Sequence, residues 1–156
     1  MADRIAGAHS ADVGRGAARI GTAARIPKAG AAYFALVFGA GFVLGAIRTV
    51  IVVPRIGVRA AELLEMPLML VVIVFAARAV VRRFALPARA AFRLGVGLVA
   101  LALLVAAEIL LAVVLEGRSV GQYVAGRDPV SGSAYLAMLV VFALMPWLLA
   151  YAGARR

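Results

Sequence analysis

Four long apolar runs, separated by short stretches rich in charge and turn formers, occupy most of the chain from residue 31 onward. They cover residues 31–53, 61–81, 94–115 and 134–153. Each has close to the roughly 20 apolar residues that a helix needs to cross about 30 Å of hydrocarbon. The pattern predicts an all-α polytopic membrane protein, a bundle of four transmembrane helices. Pro54 and Gly57 predict a tight turn between spans one and two, and Pro87 falls in the next connection. The longest connection, residues 116–133, is rich in turn formers, chiefly Gly and Ser. Residues 1–29 are polar, small and basic. They read as a mobile cytoplasmic tail, set apart from a transmembrane domain over residues 30–153. No apolar core of a secretory signal is visible in them.

Composition strengthens this picture. Hydrophobic residues make up 65% of the 156, and the mean hydropathy is +1.04, well above a soluble domain that is about half apolar. The net charge of +10 would suggest nucleic acid in a soluble protein. Here the basic residues sit at the ends of apolar runs, where topology accounts for them, so no nucleic-acid partner is expected. Twelve lie on one side: Arg4, Arg15, Arg19, Arg25 and Lys28; Arg78, Arg82, Arg83, Arg89 and Arg93; Arg155 and Arg156. Four lie on the other: Arg55, Arg59, Arg118 and Arg127. The excess predicts a multi-pass bacterial inner-membrane protein with both termini in the cytoplasm. Tyr33, Trp147 and Tyr151 then fit an inner aromatic belt, and Tyr135 an outer one.

The charges inside the spans are the candidate chemistry. Arg48 lies six residues before Pro54, so roughly 9 Å below the outer boundary at 1.5 Å per residue. Glu65 enters span two from that side, and Glu108 lies at comparable depth in span three. A charge deep in hydrocarbon costs about 2.5–3.5 kcal/mol on insertion scales and is tolerated when paired or facing the bundle interior. The spacing puts Gly41, Gly45 and Arg48 on one helical face, with Gly41–Gly45 a GxxxG pattern suited to close helix approach. Gly97 and Leu101 share a face with Glu108. This predicts an Arg48–Glu65–Glu108 cluster in the outer leaflet, with Glu62 grouped beside it and Gly41, Gly45 and Gly97 as packing positions. Glu62 reads as a first-turn glutamate at the interface, favoured by the helix dipole, and Pro67 as an early-turn proline. Span four carries no charge between Ser133 and Arg155 and is expected to be the most lipid-exposed, bent at Pro146.

Three readings of the charged layer stand side by side. Arg48 snorkels to the outer interface on its long stem; or the cluster fixes helix register; or it is a functional polar site. In the last case one carboxylate pairs with Arg48 and the other, desolvated beside a like charge, carries protons as part of a coupled pair. Glu108, in an alanine- and leucine-rich stretch, is the better proton carrier. Other chemistry is poorly supplied. The chain has no cysteine and one histidine, His9, so thiol chemistry, bis-histidine haem and most zinc sites are excluded. No GxSxG, HExxH, P-loop or dinucleotide fingerprint stands in context. No catalytic residue, cofactor or metal is expected.

The order Gly45-x-x-Arg48, Pro54-Arg55-x-Gly57, Glu62-x-x-Glu65-x-Pro67-x-Met69, a glutamate in span three and FALMPW at 142–147 resembles a group of small uncharacterised bacterial four-span inner-membrane proteins. The resemblance covers residues 31–152 and implies the four-span fold without an activity. The small multidrug-resistance exporters also have four short spans, but their essential glutamate is in span one, where this chain has Arg48. The sequence therefore points to a non-enzymatic membrane component held by its Arg/Glu cluster. The alternative is a small proton-coupled transporter or channel using Glu108 and Glu65, and a lipid-modifying enzyme ranks third. Its expected partners are membrane lipids and either a second copy of the chain or another membrane protein.

Overall fold

The computed structural model describes residues 24–114, Gly117, Gly121 and residues 129–153. Residues 1–23 of the tail expected over residues 1–29, and most of the longest connection, lie outside the described residues; from Arg25 onward the chain is helical, so the end of the expected tail belongs to the first helix. Those described are all-helical apart from short turns. Four helices among them are long and apolar enough to cross a membrane: α1 (Arg25–Ile56), α2 (Val58–Arg83), α3 (Ala90–Val114) and α4 (Pro129–Gly153).

All four run past the apolar stretches that announce them. Arg25 and Lys28 are charged, and Pro129, Ser131, Gly132 and Ser133 at the start of α4 are turn-forming, yet all are helical. A helix at 1.5 Å per residue outlasts about 30 Å of hydrocarbon after 20 residues, and its ends then accept polar side chains. Pro129 opens α4, where a missing N–H is harmless and the fixed φ suits the first turn.

The turn between α1 and α2 is one residue, Gly57. It has φ 79 and ψ 165, a region that only glycine occupies at low cost. The Gly57 amide donates to the Val53 carbonyl at 2.9 Å, and the Gly57 carbonyl accepts from Ala61 at 3.1 Å, so one residue closes both helices. Pro54, expected in this turn, is inside the last turn of α1. Its ring removes a helical donor and crowds the carbonyl four residues back. The chain widens just before it: residues Arg48–Val52 form a π-turn, with the Val53 amide donating to the Arg48 carbonyl. Pro67 is likewise the tenth residue of α2 rather than an early-turn proline.

The helices pack in a ring: α1 against α2 and α3, and α4 against both α2 and α3. The core follows their inner stripes. It takes Ala29, Tyr33 and Val37 from α1, then Ile73, Ala77 and Val80 from α2. Val96, Ala100 and Leu104 come from α3, with Phe142 and Met145 from α4. Small residues set the closest approaches. A Cβ on Gly97 would overlap the carbonyl of Ala143, and one on Gly30 would come within 2.6 Å of Val99 Cγ1. Gly41 faces the Met69 methyl, and Gly45 has open space.

Helix α4, expected to be the most lipid-exposed, is the most buried. Of its most apolar stretch 28% is buried, against 6% for α1. Its inner stripe, Phe142, Ala143 and Met145, needs no charge to belong to the core. Tyr33 is also displaced from its expected belt: it is fully buried and stacks on Phe142, ring centroids 4.6 Å apart, across the bundle. Its hydroxyl donates to the Phe142 carbonyl at 3.0 Å. Trp147 and Tyr151 stack on each other at 6.3 Å.

The turn between α2 and α3 is tied by Arg93. Its Nε and Nη2 donate to the Pro87 and Leu86 carbonyls at 3.2 and 3.3 Å, and the side chain is buried. Ala85 sits there at φ 46. The outer surface is apolar along most of the helices: Val50, Phe75, Leu110, Val114 and Leu136 are each at least 60% exposed. An exterior of that kind suits hydrocarbon better than water.

Candidate functional site

Arg48, Glu62, Glu65 and Glu108 converge on one end of the bundle, beside the Gly57 turn. Arg48 sits where α1 widens into its π-turn, so its side chain leaves the helix toward α2. Glu62 and Glu65 lie three residues apart on α2 and share a face. They grip Arg48 from two directions. Nη1 is 3.0 Å from Glu62 Oε1, and Nε is 2.8 Å from Glu65 Oε2. The second contact has ion-pair distance but not the alignment of a hydrogen bond, since Arg48 Nε finds no acceptor in line with its N–H. We therefore treat it as Coulombic. Glu65 is the more enclosed of the two carboxylates, its side chain 16% exposed against 30% for Glu62. Thr49 adds a local tie, its hydroxyl donating to the Gly45 carbonyl at 2.8 Å.

Glu62, grouped with the charged cluster in the sequence but expected at the interface in the first turn, is part of the ion-pair group. The reason is the earlier start of α2: with Val58 as first residue, Glu62 is carried one turn into the helix and faces α1.

Glu108 approaches from α3. Its Oε1 accepts the hydroxyl of Tyr135 on α4. Tyr135, expected in an outer belt, turns inward to make this bond. The sequence offered no signal for that, because a tyrosine near a span end fits a belt equally well.

Between these groups lies a cavity of about 550 Å³. Its polar wall holds Arg48, Glu62, Glu65, Glu108, Tyr135 and Ser131. Deeper, the wall is apolar: Val37, Ile73, Leu104 and Phe142, all core residues, form the floor. Met66, Met69 and Met138 line the sides, with Phe38 and Phe42. Gly41 and Gly45 face the same space, and the missing side chains there widen it. Gly97 is elsewhere, at the α3–α4 contact.

The volume falls in the range of small-molecule sites, about 300–1,000 Å³, which are mostly apolar with a few convergent polar groups. Among the described residues no three His, Cys, Asp or Glu side chains are placed to hold a metal ion. Comparison with protein-family models, curated proteins and solved structures finds no match.

Proposed function

We propose that the chain is a non-enzymatic, multi-pass inner-membrane protein that admits a small solute or protons into the cavity between its helices. The observation that carries this is the cavity itself, onto which Arg48, Glu62, Glu65 and Glu108 all open. A cluster that only fixed helix register would be expected to fill its own space. The Arg48–Glu62–Glu65 group supports a structural share in the role, because it clamps α1 to α2. Glu108 and Tyr135, on the opposite wall, are the pair suited to handle a proton or a ligand head. The arginine distribution supports placing both termini in the cytoplasm and the mouth of the cavity on the outer side. The resemblance to four-span bacterial membrane proteins agrees with this and adds no activity.

The chain has no cysteine, so a single introduced thiol reports on one position. Met69→Cys, on the cavity wall, is expected to react with a water-soluble trimethylammonium methanethiosulfonate in reconstituted vesicles. Phe75→Cys, on the apolar exterior of the same helix, is expected not to. Equal inertness of both thiols in folded protein would sink the reading. Proton uptake by the same vesicles that disappears with Glu108→Gln would extend it from binding to transport.

A further inference from the structure

The chemistry of the cavity wall narrows what it takes. We infer that the ligand is a lipophilic monovalent cation: a singly charged ammonium- or phosphonium-type head on an apolar or aromatic body. This rests on the reading of the cavity as a ligand site and adds the substrate class.

Three features of the wall carry it. The first is charge. Two carboxylates, Glu62 and Glu65, share one guanidinium at 3.0 and 2.8 Å. The group therefore has one formal negative charge more than Arg48 can answer, and it faces the cavity. In surroundings less polar than water such an excess attracts one positive charge and repels an anion strongly. The second is the rest of the wall. Phe38 and Phe42 on α1 line it, with Phe142 at the floor, so an aromatic or apolar body meets aromatic side chains there. The polar groups collect at one end and the apolar ones at the other, so an amphiphile satisfies both and an inorganic ion does not. The third is adaptability. Met66, Met69 and Met138 line the sides, and unbranched thioethers repack around ligands of differing outline. That favours a class of related cations over a single compound. A phospholipid is a poorer fit, since its phosphate would face the excess carboxylate.

Tetraphenylphosphonium and tetraphenylborate test this directly, because they share shape and greasiness and differ in the sign of charge. Full-length Met69→Cys is reconstituted in neutral-lipid vesicles, and the thiol is labelled with the trimethylammonium reagent in the presence of either ion. Tetraphenylphosphonium is expected to slow labelling saturably, and tetraphenylborate to leave it unchanged. Glu62→Gln in the same background is expected to raise the half-protecting concentration roughly tenfold, as loss of one partly screened charge would. Labelling that neither ion slows, or that both slow equally, overturns the cation assignment while leaving the cavity reading intact. Absence of labelling in folded protein overturns both. If Met69→Cys does not fold, Met138→Cys on the facing helix serves the same protocol.

Discussion

The hydroxyl of Tyr33 donates at 3.0 Å to the carbonyl of Phe142, and that carbonyl lies four residues before Pro146. In a regular helix it would accept from the amide at position 146, which proline lacks. A buried carbonyl without a donor is costly in any apolar interior and more so in lipid. Tyr33, from the helix diagonally opposite, supplies the missing donor and stacks on the same residue. One side chain thus repairs a proline defect and pins α1 to α4.

Removing that hydroxyl should therefore matter only while the proline is present. Tyr33→Phe is expected to lower stability by about 1–3 kcal/mol, the range for an orphaned buried acceptor. In a Pro146→Ala background the restored amide satisfies the carbonyl, and the same change should cost well under half as much. Unfolding of the four proteins of this cycle in detergent measures the coupling. Equal costs in both backgrounds would mean that the hydroxyl acts independently of the proline and repairs no defect.

The Arg48 fork makes a second prediction. The guanidinium reaches Glu62 with one nitrogen and Glu65 with another, a geometry an ammonium cannot copy. Arg48→Ala leaves two carboxylates facing each other and should destabilise by about 1–3 kcal/mol, less than a fully buried pair because the side chains are partly exposed. Arg48→Lys should recover less than half of this. In an Arg48→Ala background, Glu62→Gln should be stabilising, since it removes the remaining repulsion. Thermal unfolding of these variants in lipid checks the order.

How much of this was legible in the sequence follows from what each signal depends on. The spans were visible because hydrophobic length is a local property. Their ends were not, because Arg25 and Lys28 are charged and Pro129, Ser131, Gly132 and Ser133 are turn formers, yet all continue their helices beyond the apolar stretch. The polar layer was visible in part, because Arg48, Glu65 and Glu108 are conspicuous in apolar runs. The partners were not: Tyr135 meets Glu108, and Tyr33 meets Phe142, only through contacts between distant helices. Helix α4 was misplaced for the same reason. An uncharged apolar span looks alike whether it faces lipid or lines a core, and only packing tells Phe142 from Leu136.

The glycines separate into two kinds, and substitution should tell them apart. Gly97→Ala puts a methyl into the Ala143 carbonyl, backbone against backbone, so α3 and α4 must part. A loss of about 2 kcal/mol or more is expected, as for other overpacked contacts. Gly45→Ala meets nothing within 4 Å, and alanine's better helix propensity should make it neutral or stabilising by up to about 1 kcal/mol. Unfolding midpoints of the two variants give the comparison. If Gly45→Ala proved the more damaging, the GxxxG face would be a contact surface for another chain rather than a cavity wall.

Two of the positive-φ positions, one in each short turn, offer a matched pair of opposite sign. Gly57 holds the α1–α2 turn at φ 79, and Ala85 sits in the α2–α3 turn at φ 46. Gly57→Ala should destabilise by about 1–3 kcal/mol through backbone strain alone, because no atom lies within 4 Å of the added methyl. Ala85→Gly should relieve strain of about 1 kcal/mol, offset in part by the greater freedom of glycine in the unfolded chain. Arg93 makes the second effect readable. Its guanidinium holds the Leu86 and Pro87 carbonyls, so the turn is fixed in shape whether or not Ala85 is at ease. Arg93→Ala removes that hold and lets the turn relax, so Ala85→Gly should stabilise less in that background. A stabilisation of the same size with and without Arg93 would mean that the strain at Ala85 is set by the helices it joins, not by the clamp.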